Sequence, residues 1–434
     1  MRHPSVMLHK TPIQTPLSQR LSQQDELVDE EICPSYGLKK YYPAEPGQVL
    51  DNRYQILVKV GWGSSSTTWF ARDIRGYRWE PEKVVALKII NAESQTVANE
   101  RKIEEHIAVT DSSHRGYPLF RTHLESFEVW SQERRHLCLA YEPMREPLWI
   151  FQRRFNGGII PLPIVKTYIR FLLTGLDYLH TSCGVVHTDL KLDNVMVNFE
   201  DPSVFDQFMD TQMSEHMQYK VDLFGRHVYR CHNDFGPLRK VRNIPKIVDF
   251  GLAAKLCLDS DYGIYPIQPD HYRAPEVILG CGWNTSADIW NLGVLLWDLI
   301  EGKELFQKVH DAKGHYVARA HLAEMIGLLG SPPRELVAKA NSSLLNPWPD
   351  PVKGEGGMIC TNANEYYGGP FFDDDGNFLF ENLIPDRGLA DTLHSLDQNE
   401  RDGFLSLVRM MLTWRPEDRK TASELAQHPF LRLK

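Results

Sequence analysis

The stretch that most constrains this chain is a polar octet, His187-Thr188-Asp189-Leu190-Lys191-Leu192-Asp193-Asn194, set between the apolar runs Gly184-Val185-Val186 and Val195-Met196-Val197. Short apolar runs with polar boundaries read as buried strands, so the octet reads as the loop between two of them. Within it an Asp stands two residues before a Lys and five before an Asn. Asp189 offers a carboxylate that can orient a hydroxyl and take its proton. Lys191 offers a cation and Asn194 an amide oxygen able to hold a metal. Together these are the groups that phosphoryl transfer needs.

The chain has 434 residues, 42% of them hydrophobic and 24% charged, an ordinary balance for a soluble globular protein with a sizeable core. A net charge of −9 argues against a general nucleic-acid binder. The seven cysteines have no paired spacing and read as reduced thiols, which excludes a disulfide scaffold or zinc site as the organising principle. The most apolar run, Ile289 to Ile300, is short and contains Asn291 and Asp298, so it reads as a core helix and not a membrane span. The N-terminus lacks the apolar core of a signal peptide. Its first 24 residues contain no acid and carry Arg2, Lys10 and Arg20, so a transit peptide is the minor alternative.

Residues 1–40 are rich in Ser, Thr, Pro and Gln without periodicity and read as a disordered leader. Tyr54 to Val60 reads as a strand, and Gly61-Trp62-Gly63-Ser64-Ser65-Ser66-Thr67-Thr68 turns into a second one. Two glycines there would let the backbone turn tightly and approach phosphate oxygens. Val84 to Ile90 is a buried strand with one Lys, Lys88, which needs a partner. A charged helix over about 94–109 follows, with Glu100 at helical spacing from Ile103 and Ile107. Glu100 is the choice to pair Lys88, with Glu104 and Glu105 as alternatives. His136 to Tyr141 reads as another strand, followed by Glu142-Pro143-Met144. An amphipathic helix from Leu162 to Thr181 leads to the octet. Residues 199–243 then intervene before Ile247-Val248-Asp249-Phe250-Gly251. Tyr272-Arg273-Ala274-Pro275-Glu276, Asp288-Ile289-Trp290-Asn291-Leu292-Gly293 and Trp414-Arg415-Pro416-Glu417-Asp418-Arg419 complete the sequence of motifs.

In this order the motifs resemble those of the eukaryotic protein kinases. The resemblance implies an α+β, bilobal fold in a kinase domain over 41–434. A small β-rich N-lobe would cover 53–144, and a larger, mainly helical C-lobe 145–434, with an insert at 199–243 and an enlarged region at 305–402. It implies ATP and Mg²⁺. Asp189 and Lys191 would be catalytic, and Asn194 and Asp249 would hold the metal. Val60, Gly61, Gly63, Ser66 and Thr68 would cover the phosphates. Ala86, Lys88, Glu100, the gatekeeper Tyr141, Glu142 and Met144 would complete the nucleotide site. Asp288 would hold the catalytic loop, and Arg419 would pair with Glu276.

Lys191 favours Ser/Thr specificity. His-Thr-Asp in place of His-Arg-Asp, Ser66 with Trp62, the insert, Tyr41-Tyr42-Pro43 and Ile267-Gln268-Pro269 further resemble the SR-protein kinases and especially their fungal relatives. That implies Arg/Ser-rich splicing factors as protein substrates, no direct nucleic-acid or membrane binding, a monomer, and a cytoplasmic and/or nuclear location. Thr188 removes the Arg that would read an activation-loop phosphate. Asp270, where relatives carry an Arg, disfavours proline-directed specificity. The alternative readings are a catalytically weak pseudokinase acting as an ATP-gated scaffold, and a kinase of the Cdc2-like or dual-specificity groups.

Overall fold

The computed structural model describes residues 8–21, 26–34, 36, 40–92, 97–131, 134–256, 262–343 and 347–433. They form two compact units, one of residues 1–105, 121–146 and 196–244, the other of 106–120, 147–195 and 245–434. The α+β class holds, with the sheet in the first unit and most helices in the second.

The first unit is built on a six-stranded antiparallel sheet in the order β2-β3-β4-β5-β7-β6. Its strands are β2 (Val49–Leu50), β3 (Tyr54–Trp62), β4 (Ser66–Asp73), β5 (Val84–Ile90), β6 (Glu125–Ser131) and β7 (Arg134–Tyr141). A two-residue strand, β1 (Gln19–Arg20), precedes them. Runs such as Val84-Val85-Ala86-Leu87 form strands because β-branched and large apolar side chains pack well on a pleated surface. Ile56, Val58, Phe70, Leu87 and Leu139 are buried in the resulting core. Helix α1 (Val97–Val109) carries Glu100 and Glu104.

Two expectations are corrected here. The first is the disordered leader, for its described residues alone; residues 1–7, 22–25, 35 and 37–39 of that expectation lie outside the described residues. Its described residues are placed: β1 pairs in parallel with Gln218–Val221, and Glu30 is fully buried. The pull comes from charge. Lys59 on β3 is itself buried and takes Glu30 and Asp29 as its carboxylate partners, the latter at 3.1 Å. A buried lysine requires such partners, and among the described residues the leader supplies both.

The second concerns residues 199–243, expected as an insert of the larger lobe. They belong to the first unit. The helix Pro202–Gln212 starts on Asp201, whose side chain accepts from the Ser203 N–H. Its Val204, Phe208 and Met209 join the core beside Phe70. The Phe205 ring meets Phe70 edge-on at 5.2 Å, and Phe208 lies 4.5 Å from Phe235. Arg145, fully buried, fastens both ends of the insert. It donates to Glu200 at 3.1 Å and to the Gly236 carbonyl at 2.5 Å. Aromatic spacing in a segment without clear periodicity was the available signal.

The second unit centres on two helices. Leu162–Asp177 buries Val165, Tyr168, Ile169, Leu172, Leu173 and Leu176, and its last expected turn widens into a π-turn, Tyr178–Ser182. Ser286–Ile300 is buried from Ala287 to its end, as expected of a core helix. Among the described residues no helix is long and apolar enough to cross a membrane. The enlarged region 305–402 contributes the helices Ala318–Leu329, Arg334–Ser343 and Ala363–Tyr367.

Candidate active site

In the first unit, Val60 and Gly61 lie near the end of β3, Gly63 in the turn, and Ser66 and Thr68 at the start of β4. Gly61 pairs with Thr68, and Thr68 with Lys88 on β5. The Gly63 N–H donates to the Ser66 carbonyl at 2.9 Å. Neither Gly61 nor Gly63 has a positive φ, so the turn does not need glycine for its backbone angles. A Cβ at Gly63 would meet nothing within 4 Å, so the space beside this residue is open.

Lys88 extends from β5 to Glu100 on α1, with Nζ to Oε1 at 2.6 Å. Glu100 is 5% exposed and Lys88 16%, so this is a pair shielded from water. Of the alternatives, Glu105 lies on the exposed surface near Arg101. Glu104 is buried. It accepts from the Tyr141 hydroxyl at 2.9 Å and from the His123 N–H at 2.8 Å. Tyr141, opposite Ala86 in the sheet, also reaches Glu100 at 3.4 Å. Burial pushes the Tyr141 hydroxyl well above its usual pKa, and the Glu104 and Glu100 carboxylates add to this. Tyr141 is therefore a fixed neutral donor bridging the two α1 carboxylates. At Glu142-Pro143-Met144, Met144 is buried. The Glu142 carbonyl accepts from Arg121 Nε at 2.9 Å, and the Arg121 guanidinium stacks on Tyr141 at 4.6 Å. Nothing in the sequence marked Arg121 for this position.

In the second unit, the octet follows the strand Val185–Val186 and precedes Val195–Val197. Asp288, on the buried helix, accepts from the His187 and Thr188 N–H groups at 2.8 and 3.0 Å and from His180 at 2.9 Å. Three donors on one buried carboxylate fix the start of the loop. Asn291 of the same helix donates to the Leu190 carbonyl. Asp189 lies 3.1 Å from Lys191 Nζ. The Asn194 amide nitrogen donates to the Asp189 carbonyl and carboxylate, both at 2.8 Å, which turns its Oδ1 away from Asp189. The Val248 N–H donates to the Asn194 carbonyl at 3.0 Å, so the next residue, Asp249, stands beside the octet at φ 67°. Phe250 packs edge-on against His187 at 5.2 Å. Arg419 forms a double ion pair with Glu276 at 2.7 and 2.6 Å, both side chains fully buried.

A groove in this unit begins at Leu192 and Asp193 of the octet. It is lined by four carboxylates, Asp193, Asp298, Glu301 and Glu304, and two cationic side chains, Arg153 and Lys303. Arg153 is stacked on Trp149 at 4.5 Å, and Glu301 caps the His394 and Ser395 N–H groups. Burial pushes the Asp298 carboxyl up to about 7, against the lowering effect of the Tyr272 hydroxyl that donates to it at 2.5 Å.

The sequence matches the family described as Protein kinase domain over residues 54–431. A serine/threonine protein kinase of Aspergillus fumigatus is 33% identical over 424 residues, covering 97% of this chain and 95% of the relative. The serine/threonine-protein kinase SRPK of Physarum polycephalum is 30% identical, covering 94% of this chain and 92% of its own. SRSF protein kinase 3 of Homo sapiens is 31% identical over a shorter stretch, 43% of this chain and 32% of its own. Among solved structures, a kinase-domain crystal structure superposes with a TM-score of 0.63 at 21% identity, covering 90% of this chain and 99% of the other, which is a likeness of fold.

Proposed function

Because the chain belongs to the protein kinase family and is an ATP-dependent serine/threonine kinase of the SR-protein-kinase-like group, we propose that the serines it modifies lie in Arg/Ser-rich protein segments such as those of splicing factors. The observation that carries this reading is the groove that starts on the octet itself. Asp193, Asp298 and Glu304 line it, and one of its two cations, Arg153, is already stacked on Trp149. Guanidinium groups flanking a serine would find carboxylates there. A cytoplasmic and/or nuclear location is part of the same proposal.

In this reading Asp189 orients the serine hydroxyl and accepts its proton, and Lys191 stabilises charge on the transferring group. Lys88, held by Glu100, positions the α- and β-phosphates. Asn194 Oδ1 and the Asp249 carboxylate are hard oxygen donors that suit Mg²⁺ and would hold it. When bound, the ion neutralises phosphate charge.

The test is phosphate transfer from labelled ATP to an Arg-Ser-repeat peptide, a Lys-Ser-repeat peptide, a generic Ser peptide and a Pro-directed one. The expected result is preference for the Arg-Ser peptide, with KM for it raised several-fold by Asp193→Asn. Equal rates on the generic peptide would discard the substrate assignment and leave the kinase.

A further inference from the structure

Among the described residues, the carbonyls of the turn Gly63-Ser64-Ser65-Ser66 are anchored by Tyr41 and Asn91. The Tyr41 hydroxyl donates to the Gly63 carbonyl at 2.9 Å, and the Asn91 side chain donates to the Ser64 carbonyl at 2.9 Å. The Asn91 N–H donates to the Ser65 carbonyl at 2.8 Å. In a trans peptide the C=O and N–H point in opposite directions. Anchoring the carbonyls of Gly63 and Ser64 therefore aims the N–H groups of Ser64 and Ser65 the other way. Successive N–H groups aimed to one side make a concavity for anions.

Asn91 belongs to the chain that leaves β5. Tyr41 is held by elements remote in sequence. Its ring stacks on Tyr36 at 5.6 Å and lies under the Arg226 guanidinium at 5.3 Å. Arg226 comes from residues 199–243 and donates to Glu30 at 2.7 Å and to the Tyr36 hydroxyl at 3.3 Å. The Tyr36 hydroxyl donates to Asp222 at 2.6 Å. Glu30 also pairs with Lys59, four residues before Gly63 on β3. Burial alone would raise the Glu30 carboxyl, but Lys59 and Arg226 outweigh it and hold it below its usual range. Glu30 is thus a charged hub, and the leader and the insert meet on the Tyr41 ring, whose hydroxyl holds the turn.

We propose that Tyr41 is a positioning residue for the phosphate-covering turn, fixed in place by Arg226 of the insert, so that the leader and the insert tune nucleotide affinity. This rests on the reading of Gly61 to Ser66 as the cover of the ATP phosphates.

The test compares the full-length enzyme with Tyr41→Phe, which removes only the hydroxyl, and with Arg226→Lys, which keeps the charge facing Glu30 and loses the planar stack. Binding of Mg-ATP and of adenosine is measured by calorimetry, which does not depend on the peptide substrate. Amide exchange is followed at residues 64–66. With loss of one hydrogen bond, ATP affinity should fall about fivefold. Adenosine affinity should stay unchanged, and exchange at the turn should accelerate. Arg226→Lys should act in the same direction. Equal weakening of ATP and adenosine would overturn the proposal in favour of a general structural role. Unchanged exchange and unchanged ATP affinity would overturn the clamp. Faster exchange with unchanged ATP affinity would overturn the positioning role and the reading of the turn as phosphate cover, leaving the kinase assignment intact.

Discussion

The hydroxyl of Thr188 donates to the carbonyl of Leu252 at 2.7 Å. This bond joins the loop that carries Asp189 to the residue following Asp249-Phe250-Gly251. Thr188 sits at φ 66°, a left-handed backbone that a β-branched residue rarely adopts. Its N–H is held by Asp288, which offsets that cost. The sequence resemblance placed an Arg at this position as the reader of an activation-loop phosphate. Here a short side chain makes the link internally.

Activity should therefore be independent of loop phosphorylation. Phosphatase treatment of the purified enzyme should leave kcat within twofold of its starting value. Thr188→Val keeps the shape and deletes the hydroxyl. Loss of one such bond, about 1 kcal/mol, should lower kcat about fivefold. Collapse of activity after phosphatase treatment would show that a phosphate supplies what Thr188 is argued to supply.

Asp189 is held by Lys191 and Asn194, which act on it from two sides. An amide in its place retains the size and loses the proton acceptor. Asp189→Asn should lower kcat by about 10² to 10⁴. Calorimetric Kd for Mg-ATP should stay within twofold, because nucleotide positioning is assigned to Lys88 and the turn. Near-normal turnover would remove Asp189 from the reaction.

Residues 199–243 are part of the core of the first unit, so truncation there should cost stability. Phe208 packs against both Phe70 and Phe235. Phe208→Ala should destabilise by about 3–5 kcal/mol, read from denaturant unfolding. A change below 1 kcal/mol would mean that the helix Pro202–Gln212 merely decorates the sheet.

How much of this could be read in advance depended on distance along the chain. Lys88 and Glu100 are separated by one strand end and one helix start, so helical spacing pointed to the 2.6 Å pair. The octet's internal bonds span five residues or fewer and follow from its own order. Glu104 was weighed only as a partner for Lys88, and its bond to Tyr141 needs the sheet to be assembled first. Arg121 reaches the Glu142 carbonyl only after two antiparallel strands have turned the chain back. The placement of the described leader residues was not legible because the composition is polar and the anchors lie elsewhere. Glu30 is ordered by Lys59 and by Arg226, and no local pattern can announce a partner 196 residues away.

Asp298 gives a prediction of pH dependence. It faces the Tyr272 hydroxyl, and Glu304 acts on it as a like charge. Burial raises its carboxyl from the ordinary carboxylate range to about 7, so it is mostly neutral at pH 6 and mostly ionised at pH 8. The folded protein thus holds this proton more tightly than the unfolded chain. Its contribution to stability falls as pH rises from about 4 to about 7 and is level above that. Attraction for a cationic substrate has the opposite trend, because only the ionised form attracts a guanidinium. KM for an Arg-Ser peptide should fall about three- to tenfold between pH 6 and 8. KM for a generic Ser peptide should not follow it. Asp298→Asn should flatten the Arg-Ser profile and keep KM at its low-pH level. A profile that persisted in Asp298→Asn would remove Asp298 as the titrating group.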